Sequence, residues 1–555
     1  MTTGHQPADR DMPLAPTEET PLLASSSEVD EIENLKSEKK ITLPRGLCIG
    51  FLLGVLILIQ ATNISMISTT QSDIATDLDA FAEATWFTSA YLIPMSSVVP
   101  LGGRLSQIFS PQIYLLFSSL VTAAGLLVTG LAKTLAVFLL GRVVTGCGSA
   151  GVMTTSIMLV LDLASKKRRG LFIGMVNTGY TAGVASGAVL AGALTPVYGW
   201  RLIYWVQAPV ALLAGPLLFL AIPERVRDDS KDLQKQSLLQ NLARVDYLGM
   251  LTLTGSVVLL LFSLASPDVS TTPIVLSVLL FAAFLIVESK YATEPIIPVA
   301  LLRTRSVLLT CFAGLGLMMA RWSVLFYTPV YAIAVRGWSP ASAGLILVPT
   351  NVGFALGGIL VGWVHIRKAG SYYISSLVSY LLFALSLLAL SILSTPTSAT
   401  AAYVAVTFCN GLFTGALLNY TLSHVLHRTT PDTHFIVTSL VATFRGFAGS
   451  FGSAIGGGLF SRVLKRSVET GLAAHGIRDA ELVRRLLGSP ALVRTLTGLE
   501  QRVAVQGYED AVWTLFVAGS ALALGMSLFQ AGTGWAAAEG SHKDENSVES
   551  RDSSE

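Results

Sequence analysis

The chain has 555 residues, 52% of them hydrophobic and 13% charged, with a net charge of +2. An ordinary soluble domain carries about 25% charged residues, so this composition and a mean hydropathy of +0.62 exclude a soluble enzyme. The near-neutral balance without a basic stripe excludes a nucleic-acid binder.

Residues 1–45 are polar and poor in aromatics, which predicts a disordered tail. Within it Glu18 precedes the pair Leu22-Leu23 by four residues. This resembles an acidic dileucine sorting signal and implies sorting adaptors as partners. No basic segment opens the chain, so the first apolar run does not read as a cleaved signal.

A bilayer core of about 30 Å needs roughly 20 apolar residues per helix. Such runs recur at 47–68, 84–103, 112–132, 135–162, 170–194, 202–222, 247–265, 273–289, 307–333, 342–364, 371–393, 399–424, 435–460 and 511–532. That predicts an all-α membrane protein with 14 spans. The runs do not alternate as barrel strands would. Cys48, Cys147, Cys311 and Cys409 lie in separate runs without ligand spacing, so neither disulfides nor a metal site is expected.

Lys36, Lys39, Lys40, Arg45, the run Lys166 to Arg169, Arg225, Arg303 and Arg367 fall on one face if the spans alternate. The excess of Lys and Arg makes that face cytoplasmic and puts both termini there. Segment 461–510 breaks the charge rule and reads as an extramembrane hairpin. Residues 533–555 read as a second disordered tail.

Four short patterns carry a resemblance. In the fourth span, LLGRVVTGCGSAG places Arg142 four residues before Gly146. After the fifth span, GWRLIYWVQAP holds Trp200, Arg201 and Pro209, where Trp200 and Arg201 suit interface anchors. In the fifth span, GYTAGVASGAVLAGA spaces Gly179, Gly183 and Gly187 by four, a packing face. After the second span, GGRLSQIFSPQ carries Gly103, Leu105 and Gln107, and DLASKKRRG carries Asp162 and Arg169.

These patterns resemble the major facilitator superfamily, in its fungal fourteen-spanner drug:proton antiporter branch, over residues 45–532. The resemblance implies two pseudo-symmetric six-helix halves, 46–222 and 307–532, around a midplane site. It also implies a linker and inserted helix pair at 223–306. Two departures stand out. Gln107 replaces the acid of the family's cytoplasmic gate, which leaves Gly103, Gln107, Asp162 and Arg169 as the gate residues. Asn63 stands where the family carries an acid late in the first span, and Asn cannot take up a proton.

The charges within spans are basic: Arg142, Arg321 and Arg445. Such a cavity suits anionic or neutral ligands better than cations. Asp73 is the first choice for proton exchange and Asp162 the second. Trp86, Tyr91, Gln207, Trp322, Tyr327, Asn351, Asn410 and Asn419 are further cavity candidates. His424, His427 and His434 read as solvated residues flanking a loop.

No GxSxG, HExxH or GxxxxGK[ST] occurs, so neither an enzyme nor an ATP-driven pump is expected, and no cofactor. The expectation is a monomeric secondary transporter in the plasma or vacuolar membrane, exporting small organic compounds in exchange for protons. A vacuolar carrier of basic amino acids and a non-transporting membrane receptor are the alternatives.

Overall fold

Without water to bond the backbone, an apolar run in lipid satisfies its N–H and C=O groups as a helix. The computed structural model describes residues 43–163, 169–222, 246–266, 269–291, 303–365, 372–430 and 433–534. Among them, residues up to Gly50 belong to one unit and Phe51 onward to another. The sorting segment with Glu18, Leu22 and Leu23 lies outside the described residues, as do most of both expected tails. Helix begins at Leu43, and described structure continues to Gly534.

The helices in the first part of the chain are α1 (Leu43–Ser65), α2 (Ile67–Asp77), α3 (Trp86–Phe109), α4 (Pro111–Gly130), α5 (Leu135–Leu163), α6 (Arg169–Tyr198) and α7 (Arg201–Ala221). Two follow as a pair, α8 (Tyr247–Ala265) and α9 (Thr271–Lys290). The last part holds α10 (Arg305–Ala334), α11 (Pro340–Leu345), α12 (Leu347–Ile359), α13 (Tyr373–Leu393), α14 (Thr400–His427), α15 (His434–Ala473), α16 (Ala480–Gly488) and α17 (Gly498–Ala531). A π turn, Leu360–His365, extends α12.

Among the described residues, 12 helices are long and apolar enough to cross a bilayer. The expected spans 84–103 and 435–460 coincide with α3 and α15, which are not among these 12. Both are rich in Ser and Gly, and α3 contains Pro94 and Pro100.

Helix pairing repeats between the two halves. In the first, α3 packs on α5, and α4 packs on α5 and α7. In the second, α12 packs on α14, and α13 packs on α14 and α17. The halves meet through α3 against α15 and through α6 against α11 and α12. Reciprocal serine bonds join α8 to α9, with Ser256 Oγ to Ser277 O at 2.9 Å and Ser277 Oγ to Ser256 O at 2.8 Å. The pair reaches the bundle through α8, which packs on α3 and α15, and Arg462 donates to Leu264 O at 2.8 Å.

Segment 461–510 is the part expected as an extramembrane hairpin. It is mostly the continuation of α15 to Ala473 and of α17 from Gly498. Leu464, Val468 and Leu472 keep a buried stripe at a spacing of four, facing buried Val503, Ala504 and Tyr508, while Lys465 and Glu469 take other faces. The apolar helical period therefore outlasts the membrane-spanning stretch. Only the connection, with α16 and the turn Pro490–Arg494, forms a separate cap.

That cap reaches across to α2. Gln71 Nε2 donates to Gly488 O at 3.2 Å, and Ala491 N donates to Ser72 Oγ at 3.2 Å. Arg484 pairs with Asp79 at 2.8 Å and with Glu481 at 2.8 Å. At this same end Arg201 pairs with Asp77 at 2.6 Å. Trp200 beside it is no interface anchor. It is buried, edge-on to Phe138 at 5.6 Å and Tyr204 at 5.9 Å.

Candidate functional site

A guanidinium inside an apolar bundle must find partners or face water. Arg142, on α5, is fully buried and finds three. Its Nε donates to Phe87 O at 3.0 Å, one amine to Asn63 Oδ1 at 3.2 Å and the other to Asn63 O at 3.0 Å. The guanidinium also lies over the Tyr91 ring at 4.6 Å. Asn63 passes the network on, its Nδ2 donating to Gln207 Oε1 at 2.6 Å. Arg142 thus ties together α1, α3 and α5, and Asn63 adds α7.

The second half holds a counterpart with the residue types exchanged. Here the arginine, Arg321, is on α10, the positional equivalent of α1. The asparagine, Asn410, is on α14, the equivalent of α5. Arg321 donates to Asn410 Oδ1 at 3.2 Å, the same separation as Arg142 to Asn63. It also bonds Thr350 Oγ1, Thr350 O at 3.3 Å and Asn351 Oδ1 at 3.4 Å on α12. Asn410 continues to Ser386 Oγ on α13 at 3.0 Å. Each half therefore has one buried Arg–Asn pin through its first, second and fourth spans.

Arg445 on α15 is different. It is half-buried, its stem lies over Gly314 of α10, and among the described residues its guanidinium makes no hydrogen bond or ion pair. Its helix closes on α3 through Ser453 Oγ to Ser89 Oγ at 3.3 Å and Ser450 Oγ to Ser96 Oγ at 2.7 Å. Gly449 lies against Trp322 and Leu92, within an aromatic cluster drawn from both halves. Ala442, Gly446, Gly449 and Ser453 share one helical face. The face is covered at Gly449 and Ser453 but exposed at Ala442 and Gly446, and a Cβ on Gly446 would meet nothing within 4 Å. The wall between the halves therefore opens beside Arg445.

The remaining candidates scatter. Asp73 is on α2 rather than in a loop, where its side chain is exposed. Crowding by neighbouring protein raises its carboxyl above the usual carboxylate range. Trp86 does not face the space between the halves. It packs on Phe262 of the inserted pair at 5.7 Å, because the first turn of α3 lies against α8. Trp322 stacks on Phe326 at 5.4 Å, and Tyr327 packs on Phe460 at 4.6 Å. Asn419 bonds Gly358 O at 3.3 Å, a helix–helix contact.

His424 is not solvated. It is buried, with Nε2 at 2.9 Å from Thr533 Oγ1, because the turn after α17 brings Thr533 against α14. Gly103 lies on α3 with open space at its Cα. The side chains of Gln107, Asp162 and Arg169 lie outside the described residues. Gln60 was missed by the sequence reading, although its amide three residues before Asn63 carries the same signal. Its Nε2 sits 3.8 Å from Met95 Sδ, and its backbone carbonyl accepts from Tyr91 OH at 3.2 Å.

Residues 53–453 match the family model of the Major Facilitator Superfamily. The chain belongs to that superfamily. This major facilitator protein is 25% identical over 543 residues to MFS transporter L2 of Phoma sp., covering 95% of this chain and 87% of the relative. It is 26% identical over 513 residues to multidrug resistance protein fnx1 of Schizosaccharomyces pombe, covering 90% of this chain and 93% of the relative. Its fold is similar to that of a bacterial homolog of the human lysosomal transporter Spinster, in an inward-facing and occupied conformation. The TM-score is 0.61 at 13% identity, over 89% of this chain and 97% of the other.

The superfamily fold accounts for the repeated pairing, and the chain is a multi-pass membrane transporter. Within this major facilitator protein, the glycines at intervals of four on α6 lie along α1. A Cβ on Gly183 would come within 2.6 Å of Ala61 Cβ, and one on Gly187 within 2.7 Å of Thr62 Cα. Gly179, two turns away from Gly187, meets nothing within 4 Å.

Proposed function

We propose that this transporter exports small organic compounds, drugs or secondary metabolites, from the cytosol by proton antiport. Both termini are cytoplasmic on this reading, the membrane is the plasma or vacuolar membrane, and the working unit is a monomer. The observation that carries it is the α3–α15 wall, closed at Ser89–Ser453 and Ser96–Ser450 and open beyond at Ala442 and Gly446. A site closed towards one face and open towards the other is what alternating access about a midplane requires. The multidrug resistance relative supports drug efflux as the direction and class.

No Asp or Glu lies in an expected span away from its ends. A basic amino acid would then meet the Arg445 guanidinium without a central acid, which weighs against the vacuolar carrier reading. The same feature moves proton exchange outward, to Asp73, whose raised carboxyl keeps its proton to higher pH than an ordinary carboxylate.

Sealed vesicles holding the purified protein test this. Neutral, anionic and cationic aromatic compounds are offered with and without a gradient that drives protons against them. We expect gradient-driven uptake at least tenfold above the no-gradient rate, abolished by a protonophore. Asp73→Asn should lower the gradient-driven component at least tenfold and leave gradient-independent exchange in place. Flux indifferent to the gradient would overturn proton antiport while leaving a facilitative carrier.

A further inference from the structure

Three arginines sit within the spans, and two of them are used up. Arg142 and Arg321 are almost fully buried and spend their N–H groups on asparagines and carbonyls of their own half. Neither is presented to a ligand. Arg445 is half-buried, and among the described residues its guanidinium makes no hydrogen bond or ion pair. It is ten residues beyond position 435, where its expected span begins, so about 15 Å along the helix axis and near mid-bilayer.

A charge at that depth is costly unless it is paired or faces a wet cavity. Among the described residues no carboxylate pairs with it, and the acids of the expected spans lie only at span ends. Its surroundings are apolar or small: Gly314 under the stem, Cys311 beside it and Gly446 next in sequence with open space. On the same side of the helix, one turn away, Gly449 touches Trp322 of the aromatic cluster. The arrangement is a planar cation at the edge of an aromatic-walled opening.

We propose that Arg445 recognises an anionic group, a carboxylate or similar oxyanion, on the transported compound, whose apolar body lies against the Trp322 side of the opening. This rests on the export reading for the transport step, though not for the binding step. The guanidinium fork matches two carboxylate oxygens at once. In a desolvated cavity that pairing is stronger than at a surface. A cationic compound would instead meet a fixed like charge.

The test uses three probes on one scaffold: naphthoate, its methyl ester and naphthylmethylamine. Equilibrium dialysis on the purified full chain reads binding, and sealed vesicles read flux. The wild type should bind naphthoate at least tenfold tighter than the amine. Arg445→Gln should weaken naphthoate at least tenfold and change the ester less than twofold. Arg445→Lys keeps the charge, so it should retain most of the preference and guards against a folding defect in the glutamine variant. Equal wild-type affinity for the three probes, no binding of any, or naphthoate binding unchanged in Arg445→Gln would overturn the proposal. Arg445-dependent binding without flux would sustain it and count against the export reading alone.

Discussion

Arg142→Asn is expected to destabilise the first half by about 2–4 kcal/mol, and adding Asn63→Arg in the same molecule is expected to recover at least half of that. The single variant removes three interhelical bonds. Such bonds contribute about 0.6 kcal/mol each on average in a membrane protein, and up to about 1.7. It also strands the Phe87 and Asn63 carbonyls without their donor. The double variant places the arginine on the first span and the asparagine on the fourth, as Arg321 and Asn410 already stand in the second half. Denaturation of the purified protein in mild detergent, followed by helix content, measures both. A double variant no more stable than the single one would mean that the two pins are not equivalent.

The second large effect is expected at Gly411. A Cβ there would fall on the Thr350 carbonyl oxygen, which itself accepts from Arg321. One turn further on, Gly415 meets the Phe354 carbonyl oxygen in the same way, and Gly146 is its counterpart in the first half, where a Cβ would fall on the Tyr91 carbonyl oxygen. Gly411→Val must therefore push α14 off α12 and pull the second pin apart. Overpacking alone costs about 1–3 kcal/mol, and weakening the Arg321 bonds adds to it, so a loss of about 3–5 kcal/mol is expected. Gly179→Ala is the control. Open space surrounds that position, and Ala gains up to about 1 kcal/mol over Gly within a helix. Its stability should be unchanged or raised. Equal losses at Gly411 and Gly179 would show that close packing at Gly411 is not the cause.

The sequence made the helices legible because lipid imposes one length and one backbone solution. The apolar runs at 247–265 and 371–393 became α8 and α13 with little displacement. Two kinds of feature were harder to read. Length along a helix was hidden at 461–510, where a stripe at the helical period continued past the apolar run. Direction around a helix was hidden at Trp86, which turned to the inserted pair rather than to the space between the halves.

Arginines were visible as charges in apolar surroundings, but their partners come from far along the chain. Arg142 and Asn63 are 79 residues apart, and Arg321 and Asn410 are 89 apart. Which arginine is sealed and which is open depends on those long-range contacts. The same holds for His424, whose partner Thr533 is 109 residues away.

Alternating access requires the two halves to separate where the cap meets α2 during each transport cycle. Ser72 and Ala491 belong to opposite halves and are joined by a 3.2 Å bond. In a variant with Cys48, Cys147, Cys311 and Cys409 replaced, Ser72→Cys with Ala491→Cys should form a disulfide across this contact. Flux into vesicles, measured before and after oxidation, should then stop in proportion to cross-linking and return on reduction. Unchanged flux with the cross-link complete would contradict the claim.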